Sequence, residues 1–209
     1  MPAELVLYTN PMSRGRTARW MLEEVGAPYR AEVLDFGDAM KGDYLRINRM
    51  GKVPSLVHGE VVVTETAAIC LYLADVFPDA KLAPTVGSPE RGAYYRWMLF
   101  AAGPLEAVIT NRALQIEPTE QQKKMVGYGD YATTLAALES HLSQTHYAAG
   151  SAFTATDVYL GSQLAWGMEF GMIERRPAFE AYRDRLKDRP ASSRATQLDD
   201  ELIAAAQPN

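Results

Sequence analysis

Three short segments of the chain carry residue types that can bind or polarise a small charged group. The first is Asn10-Pro11-Met12-Ser13-Arg14, in which a serine precedes a helical pattern. The Ser13 hydroxyl can cap that helix, which is the commoner role of such a serine. It can also stabilise an anion such as a thiolate, helped by the positive end of the helix dipole and by Arg14. A serine hydrolase is not indicated, because the chain has no G-x-S-x-G elbow.

The second segment is Val53-Pro54, at the start of a β-prone run. Proline cannot donate a hydrogen bond to a β-ladder, so its position here has two interpretations. In the simpler one, Pro54 begins an edge strand. In the other, a cis peptide bond turns the backbone and leaves the N–H and C=O of Val53 free. An extended peptide can pair with such free groups as an added strand would.

The third segment is Glu65-Thr66, where a strand gives way to a helix. Capping of the helix explains an isolated pair of this kind most simply. A functional interpretation is that a ligand carboxylate binds the free N–H groups of the helix start. Thr66 then adds a hydroxyl donor, and Glu65 can receive an ammonium group.

The elements that must position these segments follow from the hydrophobic pattern of residues 1–79. The pattern predicts a strand, a helix, a strand, a weak helix, a hairpin and a last helix, which is a βαβαββα order. These elements cover residues 5–8, 18–25, 29–34, 38–48, 53–63 and 65–76. The first three form a βαβ unit.

The chain changes character beyond this point. Residues 80–89 have the proline, glycine and serine content of a linker, and every periodic segment in residues 90–209 is typical of a helix. Thr154 and Asp157 have the spacing of a capping box at one helix start. The sequence therefore predicts an α/β domain over 1–79 and an all-α domain over 90–209.

The composition excludes several classes of protein. The chain has 209 residues, 47% of them hydrophobic and 22% charged, with a net charge of −5. General nucleic-acid binding is disfavoured, because it needs a basic face. The apolar runs are too short for a membrane span, and the N-terminus lacks the pattern of a secretory signal, so a cytoplasmic location is expected. One cysteine, Cys70, excludes an internal disulfide framework and a cysteine-rich zinc site.

Together and in this order, the three segments resemble the N-terminal, thioredoxin-like domain of cytosolic glutathione transferases. The matching pieces are residues 8–19, then Asn48-x-x-Gly51-Lys52-Val53-Pro54-Ser55-Leu56, then Glu65-Thr66-Ala67-Ala68-Ile69. The all-helical second half with its capping box is similar to the C-terminal domain of that family. The resemblance extends over essentially the whole chain, and the serine favours a bacterial, serine-type member.

The resemblance implies where glutathione binds. Val53 pairs its backbone with the cysteinyl part, Glu65 and Thr66 hold the γ-glutamyl part, and Lys52 and Lys41 face the glycine carboxylate. The implied glutathione-binding residues are Lys41, Lys52, Val53, Pro54 (as a cis proline), Glu65 and Thr66. No metal is implied.

The resemblance also implies two candidates for the group that stabilises the glutathione thiolate. Ser13 is preferred, because Met12-Ser13-Arg14 is similar to the serine-type pattern. Tyr8 is the alternative, because it falls where tyrosine-type members keep their catalytic tyrosine, with Arg14 where some of them keep an arginine. Without that role, Tyr8 is a strand-end aromatic beneath the ligand.

The second substrate is expected to be a small apolar electrophile. Its pocket is predicted to involve Met12, Tyr95, Met98 and Trp166, although most aromatics of the long helix over 90–114 must be core. Cys70 is expected to be a buried structural residue.

Two other functions remain open at this stage. The same site could serve as a glutathione-dependent peroxidase or isomerase, or the fold could be a non-catalytic interaction module. The family also implies a homodimer, the commonest type of symmetric oligomer.

Overall fold

The structure, a computed structural model, describes residues 3–37 and 41–206. The chain forms two compact units. One unit contains the chain up to Leu82 together with the part from Asp188 onward, and the other contains Ala83–Lys187.

The first unit is built on a mixed sheet of four strands. These are β1 (Leu5–Thr9), β2 (Arg30–Val33), β3 (Ser55–His58) and β4 (Val61–Thr64). Their order is β2-β1-β3-β4, with β1 parallel to β2 and antiparallel to β3. The predicted βαβ unit and hairpin are confirmed. β3 begins at Ser55 rather than at Val53, because Pro54 cannot donate to the ladder.

Helices cover the sheet. In this unit they are α1 (Gly15–Val25), a 3₁₀ helix (Gly42–Arg46), α2 (Thr66–Val76), a 3₁₀ turn (Pro78–Ala80) and α9 (Pro190–Ala206). The weak helix predicted over 38–48 is this short 3₁₀ helix, and residues 38–40 lie outside the described part of the chain.

The two faces of β1 have different neighbours. A Cβ added at Gly15 would lie 1.9 Å from Oγ1 of Thr9, so the start of α1 touches the Thr9 side of the strand and requires a glycine. Side chains alternate along a strand, so Leu7 shares this face with Thr9 and Tyr8 faces the other way. The Tyr8 ring lies 5.6 Å from the ring of Tyr44, in the 3₁₀ helix.

The last helix packs on α1, and this changes the predicted domain boundary. Arg19 of α1 donates to Asp199 of α9 at 2.9 Å, and both side chains are buried. Arg189, just before α9, makes two 2.7 Å bonds to the Glu24 carboxylate. The sequence placed residues 90–209 in one helical domain. These contacts instead join residues 188–206 to the unit that holds the sheet.

The second unit is helical. Its helices are α3 (Pro89–Phe100), α4 (Glu106–Ala113), α5 (Glu120–Lys123), α6 (Tyr131–Leu142), α7 (Ala155–Glu169) and α8 (Pro177–Lys187). A π-helical turn, Ala101–Leu105, joins α3 to α4. Pro104 lies in this turn, where a wider helix accommodates a residue that has no backbone N–H. The long helix predicted over 90–114 is therefore present with a local widening.

The predicted capping box begins α7. The Asp157 carboxylate accepts bonds from the Thr154 backbone N–H at 2.8 Å and from the Thr154 hydroxyl at 2.9 Å. It also accepts bonds from Ala148 N–H and from the Tyr182 hydroxyl. Asp157 is fully buried. Burial raises its pKa, and these donors act in the opposite direction. The box thus joins α7 to α8 and to the preceding loop.

Replacing Asp199 by alanine is expected to destabilise the protein by about 3–5 kcal/mol, because the Arg19 charge would be left buried without its partner. Urea unfolding followed by tryptophan fluorescence measures this loss. Arg194→Ala is the matched control, because Arg194 pairs with Glu23 across the same two helices but is 64% exposed. That change should cost about 0–1 kcal/mol. Equal losses of unfolding free energy in the two variants would show that the buried pair contributes no more to stability than the exposed one.

Candidate ligand-binding site

The sheet register brings the three sequence segments together. Tyr8 near the end of β1 pairs with Ser55 at the start of β3, and Ser55 pairs with Thr64 at the end of β4. The Ser13 turn, Val53-Pro54 and Glu65-Thr66 therefore leave the sheet at the same edge. Neighbouring strands lie about 4.8 Å apart, so the three segments fit within the length of a small peptide ligand.

The Ser13 turn is held by its own hydrogen bonds. The Ser13 hydroxyl donates to the Asn10 carbonyl at 2.7 Å and accepts the Gly15 N–H at 3.0 Å. Asn10 holds the turn through two side-chain bonds. Its Oδ1 accepts the Met12 N–H at 2.8 Å, and its Nδ2 donates to the Leu34 carbonyl. The Ser13 hydroxyl thus satisfies the backbone N–H of the first residue of α1, whose N-cap residue is Arg14. Its oxygen lies at the positive end of that helix.

The Val53-Pro54 peptide bond is cis. Of the two interpretations that the sequence left open, the structure contains the second. Within the described residues, the N–H and C=O of Val53 have no hydrogen-bond partner. They are available for pairing with an extended ligand.

Tyr44 and Asn48 anchor the backbone just before this bond. The Tyr44 hydroxyl donates to the Lys52 carbonyl at 2.6 Å and is 2.7 Å from the Ser55 hydroxyl, and Asn48 Nδ2 donates to the same carbonyl at 2.8 Å. Burial raises the pKa of Tyr44, which keeps its hydroxyl protonated. Sequence analysis missed Tyr44, because a tyrosine in a weakly helical segment gives no signal of its partner.

Glu65 occupies a rare backbone conformation at the start of α2. Its φ is 65° and its ψ is 117°, in a region that side chains other than glycine seldom adopt. Strain of this kind costs on the order of 1–3 kcal/mol and is found mostly at functional sites. The Glu65 side chain is exposed, whereas Thr66 beside it is buried. The carboxylate is therefore open to a ligand ammonium group.

The remaining predicted polar residues of this unit differ in exposure. Lys41, Lys52 and Arg14 are exposed, and Tyr8 is half-buried. Among the described residues the Tyr8 hydroxyl has no hydrogen-bond partner. The proton of Ser13 is engaged with a backbone carbonyl, whereas that of Tyr8 is not.

The residues predicted for the second substrate lie in both units. Met12, in the first unit, is 67% exposed, which suits a contact with an apolar ligand. In the helical unit Tyr95 is 44% exposed and Trp166 is half-buried. The prediction for Met98 is wrong, because its side chain is fully buried in the core and presents no surface.

The helical unit also contains a cavity of about 540 Å³ at the end of α4. It includes none of the predicted site residues. Its walls combine apolar, aromatic and charged side chains, among them Val108, Asn111, Arg112, Lys123, Tyr128 and Tyr131.

No group of three or more His, Cys, Asp or Glu side chains in residues 3–37 and 41–206 is arranged to hold a metal ion. In the same part of the chain, no helix has the length and apolar character needed to cross a bilayer.

The first unit thus combines a thioredoxin-like sheet with a cis proline before β3, a serine turn between β1 and α1, and a strained residue at the start of α2. Residues 3–75 match the family described as the glutathione S-transferase N-terminal domain. The resemblance of the sequence to cytosolic glutathione transferases is thereby confirmed. The serine-type subclass stays a prediction.

Individual relatives agree with this assignment. Glutathione S-transferase GST-4.5 of Xanthomonas campestris pv. campestris is 27% identical, over 86% of this chain and 91% of that protein. The crystal structure of a glutathione transferase from Methylococcus capsulatus has a TM-score of 0.77 at 26% identity, covering 94% of this chain and 99% of that one. A sphingomonad glutathione S-transferase complexed with glutathione has a TM-score of 0.75 at 28% identity, covering 93% and 98%.

Cys70 is expected to be unreactive in the folded protein. It is fully buried in α2, and burial raises the pKa of its thiol to about 12, so almost no thiolate exists near neutral pH. A disulfide reagent at pH 8 should label native protein far more slowly than protein unfolded in guanidinium. Glu60→Cys supplies an exposed thiol in the hairpin turn as the positive control. Rapid labelling of native Cys70 would contradict the burial.

Proposed function

We propose that the protein is a glutathione transferase that stabilises the glutathione thiolate and joins it to small apolar electrophiles. The observation that carries the proposal is the register of β1, β3 and β4, which brings the three candidate segments together at one edge of the sheet. The match of residues 3–75 to the glutathione S-transferase N-terminal domain supports it independently.

Each part of glutathione has a partner of suitable chemistry in this proposal. The free N–H and C=O of Val53 pair with the cysteinyl backbone, in the manner of an added strand. Glu65 receives the γ-glutamyl ammonium group, and the start of α2 with the Thr66 hydroxyl receives its carboxylate. Lys52 and Lys41 attract the glycine carboxylate.

The chemistry requires the sulfur as an anion. A free thiol has a pKa of about 8.5, so most of it is protonated at neutral pH. A hydroxyl donor, the N-terminus of α1 and the Arg14 charge all favour the thiolate and lower that pKa. The thiol proton goes to solvent. The sulfur then forms a bond to an electrophilic carbon, and the bond from that carbon to its leaving group breaks. Alignment of the two reactants supplies much of the rate.

Ser13 is the proposed donor to the sulfur, and Tyr8 is the alternative. Ser13 lies at the first turn of α1, where the helix dipole and the hydroxyl act on the same atom. To donate, Ser13 must exchange its bond to the Asn10 carbonyl for one to the sulfur. Tyr8 needs no such exchange, and it is therefore kept as the alternative donor to the sulfur.

Three further expectations belong to the same proposal. The protein is expected to be a homodimer, which light scattering would detect as twice the chain mass of 23.1 kDa. Met12 is a proposed contact of the electrophile in the first unit, and Tyr95 and Trp166 are proposed contacts of an apolar ligand in the helical unit. A panel of aryl halides, hydroperoxides and isomerisable substrates separates transferase from peroxidase or isomerase activity. Binding of glutathione without turnover of any of them would favour an interaction module.

Glutathione binding is expected to weaken by about tenfold or more in Glu65→Gln, because a hydrogen bond between charged groups contributes about 1.5–3 kcal/mol. Retention on immobilised glutathione and calorimetric titration measure the loss. Glu60→Gln is the matched control, since Glu60 is exposed at the opposite end of the same strand pair. Failure of the unaltered protein to bind glutathione would refute the proposed function.

Ser13→Ala is expected to lower kcat/KM by about a hundredfold, because it removes a donor aimed at the developing charge. It should also move the thiol pKa of the complex upward, toward that of free glutathione. Tyr8→Phe, which removes one hydroxyl and keeps the ring, should change neither value greatly. Both are read from the pH dependence of conjugation to 1-chloro-2,4-dinitrobenzene. The reverse pattern would transfer the role to Tyr8.

A further inference from the structure

The last helix presents an acidic pair to the first helix of the sheet-containing unit. Asp199 accepts a 2.9 Å bond from Nε of Arg19, and Asp200 accepts a 2.7 Å bond from Nη2 of Arg16. The first pair is buried, and the Arg16 side chain of the second is only 21% exposed. Two consecutive carboxylates of α9 thus hold the N-terminal half of α1.

Arg16 extends this contact to the turn that carries Ser13. Its second guanidinium nitrogen, Nη1, donates to the Pro11 carbonyl at 3.4 Å, while its backbone N–H donates to the Ser13 carbonyl at 3.2 Å. The guanidinium is therefore a link between Asp200 and the backbone of the turn. A displacement of Asp200 relative to α1 would therefore shift the Arg16 guanidinium, which contacts the Pro11 carbonyl.

The charge pattern of the two helices fixes their register. Along α1 the charges run from basic, at Arg16 and Arg19, to acidic, at Glu23 and Glu24. From residue 189 through α9 they run from basic to acidic as well. The contacts show the helices running in opposite directions, since Arg189 pairs with Glu24, and Asp199 with Arg19. Sliding either helix by one turn would separate these pairs, and Asp199 would lose its contact with Arg19. Such a separation of a buried pair is costly.

We infer that α9 is a positioning element for the thiolate-stabilising turn, and that Asp200 is a positioning residue acting through Arg16. The role of a thiolate in this inference rests on the proposed function. The positioning of the turn rests on the geometry of the contacts. Among the described residues, Asp200 hydrogen-bonds to Arg16 and to no proposed glutathione-binding residue. Its effect must therefore pass through Arg16 and the turn.

Charge and positioning predict opposite shifts when Asp200 loses its charge. Asp200 is negative, so by Coulomb interaction alone its removal would favour a nearby thiolate and lower the thiol pKa. If Asp200 instead holds the Ser13 turn in place, its removal misplaces the hydroxyl donor and raises the thiol pKa. The sign of the shift therefore separates the two roles.

The test compares Asp200→Asn with Glu201→Gln. Glu201 is the next residue of the same helix, and its carboxylate bonds only to Gln197 among the described residues, so it provides the same charge change without a contact to α1. Asp200 is 59% exposed, so the variant should fold. Asp200→Glu is the conservative variant that should restore the effect.

The first readout needs no glutathione. The amides of Met12, Ser13 and Gly15 are all hydrogen-bonded within the turn, so their hydrogen exchange reports its order. We expect exchange at these amides to become several-fold faster in Asp200→Asn and to stay unchanged in Glu201→Gln. The second readout is the ultraviolet absorbance of bound thiolate against pH, with a higher thiol pKa and about tenfold lower kcat/KM expected only in Asp200→Asn.

Each outcome decides the inference. Unchanged exchange in Asp200→Asn, or a thiol pKa that falls, overturns it. Faster exchange with a raised thiol pKa, both restored by Asp200→Glu, supports it. If the unaltered protein fails to bind glutathione, the proposed function is refuted, and with it the link to a thiolate. The exchange data then still show whether Asp200 orders the turn.

Discussion

The buried contact between Arg19 and Asp199 is the constraint on which the rest of the sheet-containing unit depends. Burial raises the pKa of Asp199, while the adjacent Arg19 guanidinium acts in the opposite direction. The free-energy cost of removing both charges from water is offset only while the two groups remain in contact. Because one charge lies in α1 and the other in α9, the unit is complete only when the two ends of the chain have met. The N-terminal α/β segment alone would lack both the carboxylate that pairs with Arg19 and the helix that covers this face of α1.

This dependence passes from packing to the candidate site through one helix. α1 ends at Gly26, whose φ of 65° and N–H bond to Leu22 O close the helix. It begins at Gly15, which touches Thr9 so closely that no side chain fits there. The axial position of α1 is thus set by Thr9 at one end and by α9 along its length. Ser13 lies two residues before this start and its oxygen accepts the Gly15 N–H, so the position of its hydroxyl depends on the packing of α1.

Local patterns were enough to predict the sheet elements, but pairing between distant segments was not. The periodicity around Ala18 and Leu22 predicted α1, and the Gly59 turn predicted the hairpin, because both depend on neighbours in sequence. The partner of Arg19 lies 180 residues further on, and no local pattern identifies it. For the same reason α9 was assigned to the helical domain: its periodicity predicts a helix but does not say which surface it covers. The prediction for Met98 is wrong for a similar reason. Both faces of its helix are apolar, so the pattern does not show which side chains reach the surface.

The candidate site is built from backbone groups as well as from side chains. The N–H and C=O of Val53, the start of α1 and the start of α2 are all main-chain features. They require a proline at 54, a small residue at 15 and a backbone that tolerates the Glu65 conformation. These features depend on the sheet register and on the packing of α1, so the backbone geometry of the candidate site follows from the fold. The proposed contacts of the second substrate are side chains instead, and local sequence patterns define their roles least.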